Sequence, residues 1–208
     1  MKTRVADELG DRDDLATQIG YAISTAIDAY QKERFRFNEK RTLTFNTVAS
    51  QEFYTSADNA DIPLIKSIDY ITMRDSTTSD TVFQMSPESI VRLEVISDNA
   101  TNTGRPFEYA YYNKSLRLWP VPDGVYPIRV AGHIAVAEPA SDTEASNPWM
   151  IDAERLIRSR AKLEIALHVS HDAEMAQAMS AAIADAVQEL KGEFNKLSGT
   201  GIIRPMQF

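Results

Sequence analysis

Two stretches of helical periodicity bracket a middle that has none, and this order constrains the fold more than any other feature of the chain. Leu15, Ile19, Ala22, Ile23, Ala26, Ile27 and Tyr30 recur at three- and four-residue steps. They form one apolar stripe and predict a helix from Asp13 to Arg36. Asp11, Asp13 and Asp14 stand where a cap and the helix dipole favour acid, and Lys32, Arg34 and Arg36 suit its C-terminal end. Near the other end, Asn147-Pro148 reads as a cap followed by proline at the first helical position. The helix it opens carries Leu156, Ile157, Ala161, Leu163, Ile165, Ala166, Leu167 and Val169, which cover more than one face. A last stripe holds Met175, Met179, Ala182, Ile183, Ala186, Val187, Leu190, Phe194 and Leu197. A break near Ser170-His171-Asp172 lets these two helices pack as a hairpin. No Gly or Pro marks the break, so one long helix fits the sequence as well.

Between these regions the pattern is that of short strands. Thr42-Leu43-Thr44-Phe45 alternates, Glu52 to Thr55 is a second β-prone patch, and Leu64 to Met73 reads as a longer strand. Pro87 followed by Ile90, Val91 and Leu93 predicts a short helix with proline in its first turn. Phe107 to Tyr112 and Leu116 to Trp119 form a hairpin around Asn113-Lys114-Ser115. Pro120-Val121-Pro122-Asp123-Gly124 is a second turn leading into Tyr126 to Val136. The fold class is therefore α+β: an N-terminal helix packed with a C-terminal helix pair, a central antiparallel β-rich region of sandwich or barrel type, and an extended C-terminal tail. The corresponding division is a discontinuous helical domain over 1–40 and 148–197, a β-rich domain over 41–147, and the tail over 198–208.

Composition narrows the chemistry. Lys plus Arg is 22 against 30 for Asp plus Glu, a formal charge of −8, which opposes a nucleic-acid grip. The absence of cysteine excludes a disulfide scaffold, thiolate zinc sites and a cysteine nucleophile. With a mean hydropathy of −0.31 and no long apolar run, no membrane span is expected. Met1 to Glu8 has charge but no apolar stretch behind it, so it is not expected to be a secretory signal. Phosphate-loop, dinucleotide-binding and nucleophile-elbow motifs do not occur. The best metal candidate is Glu164, His168, His171 and Asp172, of which the first three share a helical face, but no recognised zinc or di-iron pattern fits it. His133 lies in a strand-like run without a partner set by motif and is read as structural.

Two features point to partners. Lys32, Arg34, Arg36, Lys40 and Arg41 interleave with Phe35 and Phe37. That arrangement fits a helix C-terminus with two aromatic anchors, a subunit contact, or a nucleic-acid patch. The tail Ile202-Ile203-Arg204-Pro205-Met206-Gln207-Phe208 follows Gly199 and Gly201 and is apolar, whereas disordered ends are normally polar, so it is expected to dock on a partner.

Three stretches together resemble a known family. They are Glu33-Arg34-Phe35-Arg36-Phe37-Asn38-Glu39 with Phe45 and Gln51 to Tyr54; Leu116-Arg117-Leu118-Trp119-Pro120-Val121-Pro122-Asp123 with Tyr126; and Asn147-Pro148-Trp149 with Asp152 to Ile157. In this order, from about Ala16 to Phe208, they look like a head-to-tail connector (adaptor) of tailed bacteriophages, of the tail accessory factor and tail tubular protein A type. The resemblance implies a structural virion protein without catalytic residues, cofactor or metal, made in the bacterial host cytoplasm. It implies a homo-oligomeric ring, a dodecamer, beneath the portal protein, with a tail nozzle or tail tube protein below. Genomic DNA would pass through the lumen without sequence-specific binding. Ile202, Ile203, Arg204, Pro205, Met206 and Phe208 would then be the portal-docking tail. Arg34, Phe35, Arg36 and Phe37 would make a subunit or portal contact, and Pro120, Pro122 and Asp123 a tail-facing loop. The competing readings are a metal-dependent hydrolase on the Glu164/His168/His171 face and a DNA-binding accessory protein using Lys32 to Arg41.

Overall fold

The computed structural model describes residues 1–76, 81–97, 102–141 and 144–198, with side chains described to residue 192. The chain divides into two compact units: Met1–Asn38 with the chain from Val136 onward, and Glu39–Ala135. The class is α+β, as expected.

The helical unit begins with α1 (Lys2–Glu8), which the sequence reading did not anticipate, followed by a 3-10 turn (Asp13–Leu15) and α2 (Ala16–Tyr30). Val5 and Ala6 of α1 are buried, as are Ile19, Ala22, Ile23, Ala26 and Ile27 of α2. The helix expected from Asp13 to Arg36 thus ends at Tyr30, and Lys32, Arg34 and Arg36 lie beyond its last turn. Asn38 explains why the chain turns away: its Oδ1 accepts from the Phe35 amide at 2.9 Å and its Nδ2 donates to the Glu33 carbonyl at 2.7 Å. These bonds replace the helical ladder with a closed loop. The aspartates expected to cap this helix do not do so; Asp14 instead accepts from Arg12 at 2.7 Å.

After Val136, α4 (Pro148–Ile151) and α5 (Glu154–Ile165) replace the single expected helix. Asn147 caps as predicted, its Oδ1 accepting from the Trp149 amide at 3.0 Å. A π-helical turn (Ala166–Ser170) then leads to α6 (Ala173–Ser198), so the chain does form a helix pair. No glycine is needed at the break. His171 takes the left-handed region at φ 51, and Asp172 Oδ1 caps α6 by accepting from the Met175 amide at 2.9 Å. Helices α2 and α6 both pack against α5. Small side chains at the seams, Ala26, Ala161 and Ala186, permit close approach. Glu8 accepts from Lys162 at 2.7 Å and pairs with Arg158 at 2.9 Å, tying α1 to α5.

The β unit holds β1 (Glu39–Asn46), β2 (Phe53–Tyr54), β3 (Ile65–Arg74), β4 (Val82–Pro87), α3 (Ile90–Ser97), β5 (Thr103–Gly104), β6 (Glu108–Tyr112), β7 (Ser115–Trp119), β8 (Val121–Pro122) and β9 (Pro127–Ile134). Seven strands form one sheet in the order β1-β9-β3-β4-β6-β7-β2, and β5 pairs with β8. The expected all-antiparallel region is instead mixed, because β4 runs parallel to β6 and β5 to β8. The passage through α3 and β5 supplies the long crossover that a parallel pair requires. Pro87 ends β4 and does not open α3. The amides of Ser86 and Glu88 donate to Phe107 and Tyr109 across this pair, so proline occupies the intervening position, where no amide is needed. Ser89 stands just before α3, its Oγ accepting from the Arg92 amide at 3.2 Å.

Register builds the core of this sheet. Leu43, Val130, Ile71 and Met85 form one cross-strand row, and Phe45, Ile128, Met73 and Phe83 the next. These residues belong to one apolar cluster with Tyr54, Tyr109, Leu116 and Leu118. The predicted hairpin turns at Asn113 and Lys114, with φ of 48 and 60, as a two-residue turn with both centres left-handed requires.

Candidate assembly interface

The basic and aromatic stretch folds as an alternation. Phe35 is 1% exposed and Phe37 half-buried, whereas Arg36 faces solvent. The Phe35 and Phe37 rings stack with centroids 5.4 Å apart, and Trp149 meets Phe37 edge-on at 5.0 Å. Trp149 is fully buried, and its Nε1 donates to the Val136 carbonyl at 3.1 Å. Both phenylalanines therefore serve the core of the helical unit and are not presented for stacking on bases. Of the four residues expected to make a contact, Arg36 stands exposed, and Arg34 is half-buried with a partner of its own. A strand period would not have shown this, because Arg36–Asn38 form a 3-10 turn and the burial of Phe35 and Phe37 is set by Trp149.

The turn expected to face the tail is firmly built. Pro120 is half-buried and follows a cis peptide bond, while Pro122 is buried, with its carbonyl accepting from the Ser50 amide at 2.8 Å. Thr47 Oγ1 donates to the Gly124 carbonyl and accepts from the Tyr126 amide, both at 2.8 Å. Asp123 is exposed and accepts from the Tyr126 hydroxyl at 2.6 Å. That bond pushes the Tyr126 phenol up to about 12, with burial and the Asp123 charge adding to it. What the turn offers a partner is thus the Asp123 carboxylate and Val125, with Val48 exposed beside Thr47.

The residues of the metal reading have other tasks. Glu164 pairs with Arg160 at 2.6 Å and lies 3.4 Å from His168 Nε2. His171 Nδ1 contacts the Leu167 carbonyl at 3.1 Å, and Asp172 caps α6. Among the described residues, no group of three or more His, Cys, Asp or Glu could hold a metal ion. His133 is buried in β9, and neither ring nitrogen has a hydrogen-bond partner. The tail residues Ile202, Ile203, Arg204, Pro205, Met206 and Phe208 lie outside the described residues.

Two surfaces escaped the sequence reading. The helical unit has an open groove of about 730 Å³ whose lining includes Lys2, Gly20, Tyr21, Ser24, Glu138 and Met150. Ser24 Oγ donates to Glu138 across it at 2.8 Å, and Tyr21 at its edge is 71% exposed. Gly20 gave no signal of it, since a Cβ there would sit at an ordinary contact distance of 3.5 Å from Lys2 Cε. In the β unit, α3 buries Leu93 against Ala110 and Trp119 and leaves Val91 and Val95 exposed one turn apart. Among the described residues, no helix is long and apolar enough to cross a membrane. These surfaces are suited to protein contacts.

A family model described as SU10 adaptor protein matches residues 1–204, covering both units. No match is found among curated proteins. The chain belongs to the SU10 adaptor protein family, a family of phage head-to-tail adaptors.

Proposed function

We propose that this protein is a structural component of the virion, forming a ring beneath the portal that joins the capsid to the tail and continues the DNA channel. The match of the family model over residues 1–204 carries this reading. The ring is a dodecamer assembled from copies made in the host cytoplasm. It binds the portal protein on one side and a tail nozzle or tail tube protein on the other. Genomic DNA passes through without sequence-specific binding, which a formal charge of −8 per copy favours by repelling phosphate. The helical unit is the portal-side part, with Arg34 and Arg36 on its contact surface and Phe35 and Phe37 supporting it from within. The apolar tail from Ile202 to Phe208 docks on the portal, and the Pro120–Asp123 turn with Pro122 faces the tail. The protein carries out no catalysis and needs no cofactor.

The test is the native mass of the purified protein, alone and mixed with the portal from the same genome. A gain of a full ring of copies on the portal is expected, and deletion of residues 198–208 is expected to abolish it. A portal that gains no mass overturns the adaptor reading for this chain. Crosslinks from the Asp123 turn to the portal would reverse the assigned polarity.

A further inference from the structure

Strand alternation gives the β unit a face opposite its core. The rows Leu43–Val130–Ile71–Met85 and Phe45–Ile128–Met73–Phe83 point inward, so Thr44, Arg129, Thr72 and Gln84, in register between them, point the other way. Arg74 lies two residues beyond Thr72 on the same side. Arg41 falls in the irregularity of β1 between Lys40 and Leu43 and is exposed with Thr42. Arg129 and Arg74 therefore share this face across β9 and β3, with Arg41 exposed on neighbouring β1. Arg129 and Arg74 stand about 8 Å apart at their Cα atoms, from two residues along a strand and one strand across. Thr44, Asn46, Thr72, Arg74, Val82 and Arg129 line an open groove of about 290 Å³ here.

These arginines contrast with others in the chain. Arg4 is held by Glu154, Arg12 by Asp14, Arg105 by Asp75 and Arg155 by Glu189. Arg41, Arg74 and Arg129 take part in no ion pair among the described residues, although acids outnumber bases in the chain. The complementary surplus lies in the helical unit, where Asp7, Asp11 and Asp13 are exposed and likewise take part in no ion pair among the described residues. Asp7 sits in the last turn of α1, where the helix dipole disfavours acid. The Leu9 and Gly10 amides, bonded to the Val5, Ala6 and Asp7 carbonyls, fix the turn that presents these aspartates.

We propose that the arginine face of the β unit docks the acidic turn Asp7–Asp13 of a second copy of this chain. Two different, complementary patches on one chain make a head-to-tail contact, which generates a closed ring when the rotation closes. The arginine forks, spread over adjacent strands, match carboxylates better than lysines would, and Thr44, Asn46 and Thr72 add neutral donors. Val82 supplies apolar contact inside the groove. The inference rests on the reading that copies of this chain associate, and it names the surfaces by which they do.

Sedimentation of the full-length protein over a concentration series tests it, at about 0.01 M and about 1 M salt, where the screening length is about 30 Å and about 3 Å. Wild type is expected to associate at low salt and to dissociate at high salt. Arg74→Glu with Arg129→Glu is expected to weaken association at least about tenfold, as is Asp7→Arg with Asp13→Arg. Mixing the two double variants restores it, because each then offers the other a complementary pair. A wild type that stays monomeric at low salt, or variants with native melting curves that associate like wild type, overturns the proposal. So does salt-sensitive binding of duplex DNA to wild type that is lost in the arginine variant, which would assign the face to phosphate. If wild type associates as described but adds no mass to the portal, the interface stands and the adaptor reading falls.

Discussion

The helical unit and the β unit bring distant segments together with different groups. In the helical unit, residues from the two ends of the chain meet through side chains. Phe35 and Phe37 reach Trp149, Glu8 reaches Arg158 and Lys162, and Glu33 meets Lys191 at 3.1 Å. Its backbone hydrogen bonds are local, so packing must supply the long-range order. In the β unit the backbone ladder itself joins Glu39–Asn46 to Pro127–Ile134 and β9 to β3. Side chains there set register and close loops, as Tyr54 does by accepting from the Val48 amide at 3.1 Å and donating to the Gln51 carbonyl at 3.1 Å. The lesson is one of vulnerability. The helical unit depends on a few large side chains, and the β unit on close backbone approach and on hydroxyls in its loops.

Substitutions can break that comparison, and the largest effect belongs to the helical unit. Trp149→Ala removes the ring that meets both phenylalanines and is expected to cost about 3–5 kcal/mol in chemical denaturation. Amide exchange should show lost protection in α2, α4 and α5 while β9 and β3 keep theirs; equal loss in both units would break the contrast. Gly132→Ala probes the other side. A Cβ there would lie 2.0 Å from the Ser67 carbonyl oxygen, a backbone atom, so β9 and β3 must separate. A cost of about 3 kcal/mol is expected, with thermal melting as the readout. A native melt would show that the strand pair tolerates a side chain at its bulge.

Smaller effects sharpen the picture. Tyr54→Phe leaves the buried ring in place and takes the acceptor from the Val48 amide, at about 2 kcal/mol, read from the denaturation midpoint. Asn147→Ala removes a helix cap and the donor to the Ala137 carbonyl at 3.1 Å. About 1 kcal/mol is expected, with exchange at the Trp149 amide rising first. The smallest effect is a titration. Bonding to Asp123 raises the folded Tyr126 phenol to about 12, above the usual tyrosine value of about 10. Its contribution is therefore complete below about pH 10 and is lost as pH rises through 12. Burial also raises the Tyr30, Tyr54, Tyr109 and Tyr111 phenols. Ultraviolet titration should therefore show several late phenols in wild type, one of which moves toward the ordinary range in Asp123→Asn. An unchanged titration would mean that Asp123 does not hold the hydroxyl.

Much of the fold was legible because periodicity survives wherever one side of an element is buried. The stripe Ile19 to Ile27, the alternation of Leu43 and Phe45, the Asn113-Lys114 hairpin and the Asn147 cap all declare local geometry through local chemistry. Where the reading failed, a specific side-chain or ladder partner decided, close in sequence for Asn38 and remote for Glu8 and Pro87. Helix α2 stops at Tyr30 because Asn38 closes a loop, and α1 forms with Val5 and Ala6 buried and Glu8 bound by α5. Strand β4 was hidden because Pro87 looks like a helix start and is admitted to a strand only by the parallel ladder with β6. The candidate surfaces were less legible still, since exposure follows from what the rest of the chain covers. Phe35 and Phe37 looked like contacts until Trp149 covered them, whereas Tyr21 and Val95, in no predicted stripe, stand exposed.

The sequence by itself determined the order of a helical region, a β-rich middle and a helix pair, the α+β class, the helix cap at Asn147 and the resemblance to phage adaptors. Each of these depends on neighbours within a few positions, where bond geometry and hydrogen-bond chemistry act directly. The tertiary structure alone decided which strands run parallel, that Phe35 is core and Arg36 surface, and that Arg74 and Arg129 share one face without an ion-pair partner among the described residues. Those outcomes depend on register between distant segments and on competition among many possible partners, which a linear pattern does not encode.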